Sequence, residues 1–236
     1  GGAGPPQLRV DVLGERALSP ITLWSLRKRA ANYDIVVAFG SSSLPACAIA
    51  LAGHRTPWVY RNIGDPSVWQ NTRLRRWRTG VMLRRASGVI ALWEGAARSL
   101  SEMYRIPMSH IRVIPNNRPS SEFVPATPER REAARRSWSL PADLPIVAVV
   151  GSLSDEKRPG LAIAAVSALA GVHLVLAGDG PLRPDCEHLS DRLARGRVHF
   201  LGSVEDIISV YHCADVVLLT SHTEGMPGVL IEAGLC

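Results

Sequence analysis

Short apolar runs rich in β-branched residues alternate with longer stretches of helical spacing along almost the whole chain. The apolar runs predict eight strands, at 35–39, 58–61, 88–92, 111–115, 146–150, 172–177, 197–201 and 216–220. The stretches around them predict helices near 20–31, 43–52, 67–86, 94–105, 128–138, 157–170, 182–195 and 204–213, with a last helix that begins near Pro227. Continuously apolar strands that are each followed by a helix indicate parallel sheets covered on both faces. The predicted fold class is α/β.

The segment 118–125 interrupts this alternation, because it contains two prolines among polar residues. We interpret it as a linker between two doubly wound domains, 1–122 and 123–236. Each domain contains only about four predicted strands, whereas a doubly wound domain usually has about five or six. We therefore expect both domains to be incomplete and the sequence to be a fragment.

Composition places the chain among ordinary globular proteins, since 46% of its 236 residues are apolar and 20% are charged. These values exclude a disordered, collagen-like or disulfide-knot protein. The apolar runs are far shorter than the roughly 20 residues that span a bilayer, and the first residues do not have the pattern of a secretory signal. The four cysteines have no paired spacing, which favours reduced thiols and no metal site. We expect a soluble, cytoplasmic protein.

Charge is distributed unevenly along the chain. Residues 1–138 contain 21 Lys and Arg against 9 Asp and Glu, a net charge of +12, whereas residues 139–236 contain 6 against 12, a net charge of −6. This asymmetry indicates two domains with different partners, of which the basic one faces something anionic. Nucleic acid, acidic lipid and a phosphorylated substrate all satisfy that condition.

Six arginines fall within the fifteen residues 71–85, on a predicted helix. Leu74, Trp77 and Val81 follow helical spacing on it, and Trp69 precedes them. Tryptophan beside arginines is typical of a peripheral membrane segment, so 69–85 is a candidate contact with an anionic membrane. The alternative is a helix packed on the core with a solvated arginine face. Nucleic acid is disfavoured as a partner, because the sequence contains no recognised nucleic-acid-binding module.

Ligands of parallel α/β sheets bind beyond the carboxyl ends of the strands, and three such ends carry candidate residues. The first is the turn from Gly151 and Ser152 to Lys157, whose amine can reach a phosphate as a point charge or can simply be solvated. The second is the turn Gly-Asp-Gly-Pro at 178–181, where glycines permit a close backbone approach. This second turn lacks the third glycine of a dinucleotide fingerprint, and an ordinary strand-to-helix turn explains it equally well.

The third strand end is followed by a glycine-rich turn and a helix start. The amides of Gly228 and Val229 and the helix dipole together form an anion site. Glu224 and Glu232 lie on either side of this turn, and carboxylates beside an anion site are suited to accepting hydrogen bonds from sugar or ribose hydroxyls. The alternative makes Glu224 a helix-capping residue and Glu232 a solvated helix residue.

The pair Glu224 and Glu232 resembles the E-x7-E signature of retaining glycosyltransferases of family four, which have the GT-B fold. The order of the other motifs along the chain agrees with this resemblance. They are the lysine turn at 151–157, the Gly-x-Gly-Pro turn at 178–181, Phe-Leu-Gly at 200–202, Tyr-His-Cys-Ala-Asp at 211–215 and Ile-Pro-Asn at 114–116. The resemblance covers nearly the whole chain and implies two Rossmann-like domains that face a cleft.

The resemblance implies a nucleotide-sugar donor bound by the second domain. Glu232 would then bind the ribose hydroxyls, and Glu224 would contact the transferred sugar beside the backbone of Gly225 and Met226. The remaining implied donor-binding residues are Gly151, Ser152, Lys157, Val204, Gly228 and Val229, with Lys157 and the two amides receiving the diphosphate. The acceptor would be a sugar or a lipid-linked molecule. With a lipid-linked acceptor, the protein would work at the inner face of the membrane. The family requires no metal or other cofactor as a rule, and the transfer retains the anomeric configuration.

Two departures from the family pattern keep a second hypothesis open. Ser152 occupies a position where the family often has arginine, and the stretch 58–65 lacks the usual acceptor-domain histidine. Arg61, Asn62 or Asp65 would have to take its place on the acceptor side. A non-catalytic module that binds a sugar nucleotide or a membrane is therefore the alternative. A related sugar-nucleotide epimerase would need acid/base carboxylates and histidines that the sequence does not show.

Overall fold

The computed structural model describes residues 11–64 and 72–236. The chain divides into two compact units between Pro115 and Asn116. The division precedes the predicted linker, because the segment after Pro115 packs on the second unit. The Phe123 and Tyr211 rings lie 6.4 Å apart between centroids, and the Val124 carbonyl accepts a hydrogen bond from His212 at 2.9 Å. This segment is thus a structural part of the second unit.

The first unit contains a parallel four-stranded sheet in the order β1-β2-β3-β4. Its strands are β1 (Val36–Phe39), β2 (Trp58–Arg61), β3 (Gly88–Ala91) and β4 (Ile111–Val113), and its α-helices are α1 (Pro20–Ala30), α2 (Gly40–Ala50), α3 (Arg73–Arg85) and α4 (Glu94–Tyr104). A single-turn 3₁₀ helix, Met108–His110, leads into β4. Each right-handed crossover moves one strand further in the same direction, so α2, α3 and α4 cover the same face of the sheet.

The core of the first unit lies between this sheet face and the helices. Leu44, Leu83 and Leu100, from three different helices, are almost fully buried in it. The opposite face is more exposed, and Phe39 is 55% exposed and Val37 43% exposed on the edge strand. The helices that connect the described strands of this sheet therefore lie on one of its faces. Successive crossovers in one direction place every connecting helix on the same side.

The second unit contains a parallel sheet in the order β7-β6-β5-β8. Its strands are β5 (Ile146–Val150), β6 (His173–Ala177), β7 (Val198–Gly202) and β8 (Val216–Val217), and its helices are α5 (Pro128–Ser137), α6 (Pro159–Ser167), α7 (Arg183–Leu193), α8 (Ile207–Cys213) and α9 (Gly228–Leu235). One core cluster packs α5 and α8 on one face of the sheet, and another packs α6 and α7 on the other face. Each predicted strand and helix corresponds to an element of the structure, and the α/β fold class is confirmed.

Arg135 joins α5 to the sheet of the second unit. Its side chain is buried, and it donates hydrogen bonds to the carbonyls of Cys213 at 3.1 Å and Leu144 at 3.2 Å and to the Asp215 carboxylate at 2.9 Å. Asp215 in turn accepts a hydrogen bond from the backbone amide of Ile146 at 2.7 Å. The buried guanidinium is thereby paired and hydrogen-bonded, as a buried charge requires.

Two histidines stack at the amino-terminal end of the same sheet. His173 Nδ1 and His199 Nε2 are 3.0 Å apart, and the rings are stacked with centroids 5.3 Å apart. Burial lowers the pKa of both imidazoles, and the nearby charges of Arg197 and of His173 lower the pKa of His173 and His199 respectively. The fold therefore favours the neutral forms.

The order of the strands creates a topological switch point in the second unit. From β5 the chain moves through β6 to β7 on one side, and α8 then returns it to form β8 on the other side of β5. The loops after β5 and β8 consequently leave the sheet in opposite directions, and the crevice between them is where ligands of such sheets bind. Among the described residues, no helix is long and apolar enough to cross a membrane.

Candidate functional site

The loops that follow β5 and β8 are hydrogen-bonded to each other beside the switch point. The backbone amide of His222 donates to the Glu156 carbonyl at 2.8 Å, and the Thr220 hydroxyl donates to the Lys157 carbonyl at 2.8 Å. These bonds fix the lysine turn against the segment that leads into α9. The site that the sequence predicts at two separate strand ends is thus a single assembly.

Lys157 and Glu224 form an ion pair within this assembly. The distance between Lys157 Nζ and Glu224 Oε1 is 2.6 Å, and both side chains are partly buried. The alternatives of a solvated lysine and a capping glutamate are therefore wrong for this structure. The N-cap of α9 is Pro227, and its side chain makes no capping hydrogen bond.

The first turn of α9 presents backbone donors. Within residues 11–64 and 72–236, no acceptor is found for the amides of Gly228 and Val229. The amino-terminal end of a helix also carries the positive end of the helix dipole. An anionic group placed here would meet two N–H donors.

Glu232 is buried, although the alternative interpretation made it a solvated helix residue. One of its carboxylate oxygens, Oε1, accepts a hydrogen bond from Arg118 Nε in an ion pair. The other, Oε2, accepts one from the Tyr211 hydroxyl at 2.5 Å. Burial raises the pKa of Tyr211, and the hydrogen bond to Glu232 and the negative charge of that carboxylate raise it further. The phenol therefore stays protonated and acts as the donor.

Asn116 fixes the turn that contains Gly225 and Met226. Its side-chain amide donates to the Met226 carbonyl at 2.7 Å, and its backbone amide donates to the Met226 sulfur at 3.2 Å. Asn116, Arg118 and Tyr211 are site contacts that the sequence patterns do not predict. A single arginine in a proline-containing segment and a tyrosine on a short helix carry no spacing signal, so only the folded chain reveals these contacts.

The Gly-x-Gly-Pro turn at 178–181 packs against the loop that contains Gly151 and Lys157. The Gly178 amide donates to the Gly202 carbonyl at 2.7 Å, and the Leu153 amide donates to the Asp179 carbonyl at 3.0 Å. A Cβ atom on Gly178 would lie only 1.9 Å from the carbonyl oxygen of Gly151. The Gly-x-Gly-Pro turn is therefore a packing contact that positions the loop of Gly151 and Lys157.

Ser152 and Val204 are two other predicted donor-binding residues, and in the described part of the chain neither forms a side-chain hydrogen bond with Glu224 or Glu232. Ser152 lies beside Ser154, with 3.1 Å between the hydroxyl oxygens, and is exposed. Val204 follows β7 and packs against the core cluster around Ile146. The role predicted for the residues near Val204 concerns their backbone, so its side-chain packing does not test that role.

The predicted acceptor-side residues have local contacts in the first unit. The Arg61 guanidinium lies 5.5 Å from the centroid of the Phe39 ring at the carboxyl end of β2. Asn62 is buried and donates through its side chain to the Gly64 carbonyl at 2.5 Å, which closes a turn. Asp65 lies outside the described residues. The structure thus gives Asn62 a role in the turn and leaves the acceptor contact a prediction.

The basic helix α3 is attached to the first unit through its second half. Leu74 and Trp77 are each 64% exposed, whereas Gly80 and Leu83 are buried. A Cβ atom on Gly80 would stand 3.0 Å from the Tyr104 carbonyl, which shows how closely α4 approaches there. Leu74 and Trp77 therefore do not pack on the core, whereas Leu83 of the same helix does. Trp69 lies outside the described residues.

Two family models match, one in each part of the chain. The family model described as Glycosyl transferases group 1 matches residues 144–236, and the Glycosyl transferase 4-like domain matches residues 2–117. A D-inositol 3-phosphate glycosyltransferase from Mycolicibacterium smegmatis is 34% identical over 159 residues, which is 64% of this chain and 36% of that protein. The chain therefore spans only about a third of the curated relatives that it matches.

Solved structures match over most of the chain. Anabaena HepE in complex with UDP has a TM-score of 0.79 and 26% identity, and the match covers 93% of this chain and 62% of that chain. Sucrose-phosphate synthase from Thermosynechococcus elongatus has a TM-score of 0.77 and 23% identity, with 91% and 57% covered. In the described residues, no group of three or more His, Cys, Asp or Glu side chains is placed to hold a metal ion.

Proposed function

The chain belongs to the glycosyl transferases group 1 family and has the α/β architecture of GT-B enzymes, and we propose that its second unit binds a nucleotide sugar whose sugar is transferred to an acceptor hydroxyl. The observation that supports this proposal most directly is the Lys157–Glu224 ion pair between the loops that follow β5 and β8 beside the switch point. The second of these loops leads into α9, which carries the first helical amides and the buried Glu232. Each of these groups suits one part of a nucleotide sugar. The cation and the amides suit the diphosphate, and the carboxylates suit the hydroxyls of the sugar and of the ribose.

In the proposed reaction, the bond between the anomeric carbon and the diphosphate oxygen breaks while the acceptor hydroxyl oxygen bonds to the same face of that carbon. The acceptor proton passes to the departing diphosphate, and the anomeric configuration is retained. Negative charge develops on the leaving group, and Lys157 and the amides of Gly228 and Val229 would stabilise it electrostatically. Glu224 would hold the sugar, after the donor has replaced its present ion pair with Lys157.

We propose that these groups balance the diphosphate charge without a metal ion or other cofactor. A turnover assay with added EDTA and then with added Mg²⁺ tests this part separately. Equal rates in both conditions are expected. A rate that collapses with EDTA and recovers with Mg²⁺ would contradict it.

The nucleotide and the acceptor follow from the relatives only as proposals. HepE was crystallised with UDP, so UDP is the first nucleotide to test. The mycobacterial relatives are named for an inositol phosphate acceptor, and a phosphorylated or lipid-linked acceptor would suit the net charge of +12 over residues 1–138. Arg61, half-buried at the carboxyl end of β2, is the acceptor-side candidate that we would test first.

The turnover assay separates an enzyme from a non-catalytic binding module. UDP release from UDP-glucose is measured for the parent chain and for Glu224→Gln, with Glu132→Gln on an exposed part of α5 as the matched control. We expect release by the parent and the control, and a rate roughly a hundredfold lower for Glu224→Gln. Donor binding without any release, in the presence of candidate acceptors, would favour the binding module.

We further propose that the exposed half of α3 rests on an anionic membrane, since Leu74 and Trp77 project from it among four arginines, Arg73, Arg75, Arg76 and Arg78. Apolar and aromatic side chains would enter the interface while the arginines meet acidic headgroups. Co-sedimentation with phosphatidylglycerol vesicles tests this. Trp77→Ser should reduce binding several-fold, and equal binding to phosphatidylcholine vesicles would refute it.

A further inference from the structure

We propose that Arg118 is a positioning residue of the donor site, which holds the Glu232 carboxylate in the orientation that accepts the ribose hydroxyls. This inference rests on the proposed function, in which Glu232 binds the ribose. Arg118 itself acts through Glu232 and need not touch the nucleotide.

Each carboxylate oxygen of Glu232 accepts a hydrogen bond from a different side chain. Arg118 Nε donates to Oε1 of Glu232, and the Tyr211 hydroxyl donates to Oε2. The terminal torsion of a glutamate side chain is broad and poorly fixed by itself. One donor on each oxygen removes this freedom. Each oxygen keeps a second lone pair, so the two together can accept from two vicinal hydroxyls.

The Arg118–Glu232 ion pair lies directly beside Gly228, with no room for a larger residue there. A Cβ atom on Gly228 would lie 2.8 Å from Arg118 Nη2 and 3.6 Å from Glu232 Oε1. Any larger residue at the start of α9 would therefore displace the guanidinium. The glycine that exposes the first amide of the helix also makes room for the arginine that holds the carboxylate.

Arg118 lies near the start of the second unit, in the segment that precedes its sheet. It follows the division between the units by only a few residues, and neighbouring Asn116 holds the Met226 carbonyl. The connecting segment thus contacts both the turn after Glu224 and the carboxylate of Glu232. A change in this segment should be felt in nucleotide binding, although the segment precedes every element of the second sheet.

Calorimetric titration with UDP and with 2′,3′-dideoxy-UDP tests the proposal. The ratio of the two dissociation constants reports the ribose contact alone. For the parent we expect UDP to bind about tenfold or more tightly than the dideoxy nucleotide. Arg118→Gln and Glu232→Gln should each lower that ratio toward one, while the affinity for dideoxy-UDP stays nearly unchanged.

Matched variants separate positioning from other roles. Arg131→Gln removes another partly exposed arginine of the second unit that pairs with a carboxylate, Asp215, and should leave the ratio at the parent value. Tyr211→Phe removes only the donor to Oε2 and should lower the ratio in the same way as Arg118→Gln. Should Arg118→Gln not fold, Tyr211→Phe and Arg118→Lys provide the same readout.

The outcomes are distinct. Equal weakening of both nucleotides by Arg118→Gln would show that the arginine acts on the diphosphate or on the fold, and two affinities that both stay at the parent values would show that it does not position Glu232. Either result overturns the proposal while nucleotide binding by the parent stands. A folded parent that binds neither UDP nor GDP nor ADP would refute the proposed function, and this inference with it.

Discussion

Three glycine-to-alanine substitutions test how the loop of Lys157 is held in place. Gly178 combines a backbone φ of +144° with a Cβ position only 1.9 Å from the Gly151 carbonyl oxygen. Gly180 has the close contact without a left-handed φ, since its Cβ would lie 2.5 Å from the Leu153 carbonyl oxygen. Gly171 has φ of +73° and no atom within 4 Å of its Cβ position. The three positions therefore separate backbone strain from steric contact.

The expected losses follow from these two effects. Gly171→Ala introduces only strain, for which we expect about 1 kcal/mol. Gly180→Ala forces two turns apart, and overpacking of this kind costs about 1–3 kcal/mol. Gly178→Ala combines both effects and should lower the stability of the second unit by about 3 kcal/mol or more. This is roughly a hundredfold in the equilibrium between the folded form and the locally opened form that exchanges its amide hydrogens.

Hydrogen exchange measured by mass spectrometry is the suitable assay, because it reports the second unit separately from the first. Peptides from β5 and β6 should exchange fastest in Gly178→Ala and least differently from the parent in Gly171→Ala. UDP binding should weaken in Gly178→Ala and Gly180→Ala, since both displace the turn that carries Lys157, and should be retained in Gly171→Ala. Gly178→Ala that is no worse than Gly171→Ala would refute the contact between the turns.

Three further predictions concern the charged and titratable side chains of the second unit. Arg135→Ala leaves buried carbonyls without their donor and should lower the free energy of unfolding by about 3 kcal/mol, as measured by chemical unfolding. Loss of the surface ion pair of Arg131 should lower it by at most about 1 kcal/mol. Because the pKa of His173 and His199 is lowered in the fold, their contribution to stability is complete above pH 6.5 and declines as the pH falls below it; the melting temperature should therefore drop between pH 7 and pH 5, and by less in a variant with Gln at both positions. Lys157→Ala should weaken UDP binding about tenfold while uridine binding is unaffected, and equal weakening of both would contradict a diphosphate contact.

The strands and helices could be predicted from the sequence because each is short, strongly patterned and locally determined. The runs at 146–150 and 174–177 are apolar throughout, as strands buried on both faces must be. The helix at 73–85 was also predicted, but not its buried face. Leu74 and Trp77 have the spacing of a core stripe, whereas the approach of α4 at Gly80 decides which residues are buried.

The candidate site was predicted in part for the same reason. Lys157, Glu224 and Glu232 lie at strand ends and in a glycine-rich turn, where the sequence itself marks a ligand position. The contacts of Arg118 with Glu232 and of Asn116 with Met226 join residues that are more than a hundred positions apart. No local pattern encodes such pairs, and the segment that contains Arg118 was accordingly interpreted as a linker.

The most direct test of a donor site in the second unit is a calorimetric titration of this chain with UDP, GDP and ADP. Glu232→Ala is compared with the parent, and Glu132→Ala on α5 is the control. We predict micromolar affinity of the parent for one nucleotide, a roughly tenfold or greater loss in Glu232→Ala, about 1.4 kcal/mol or more, and no loss in the control. Folded protein that binds none of the three nucleotides, or binding that Glu232→Ala leaves unchanged, would contradict the assignment.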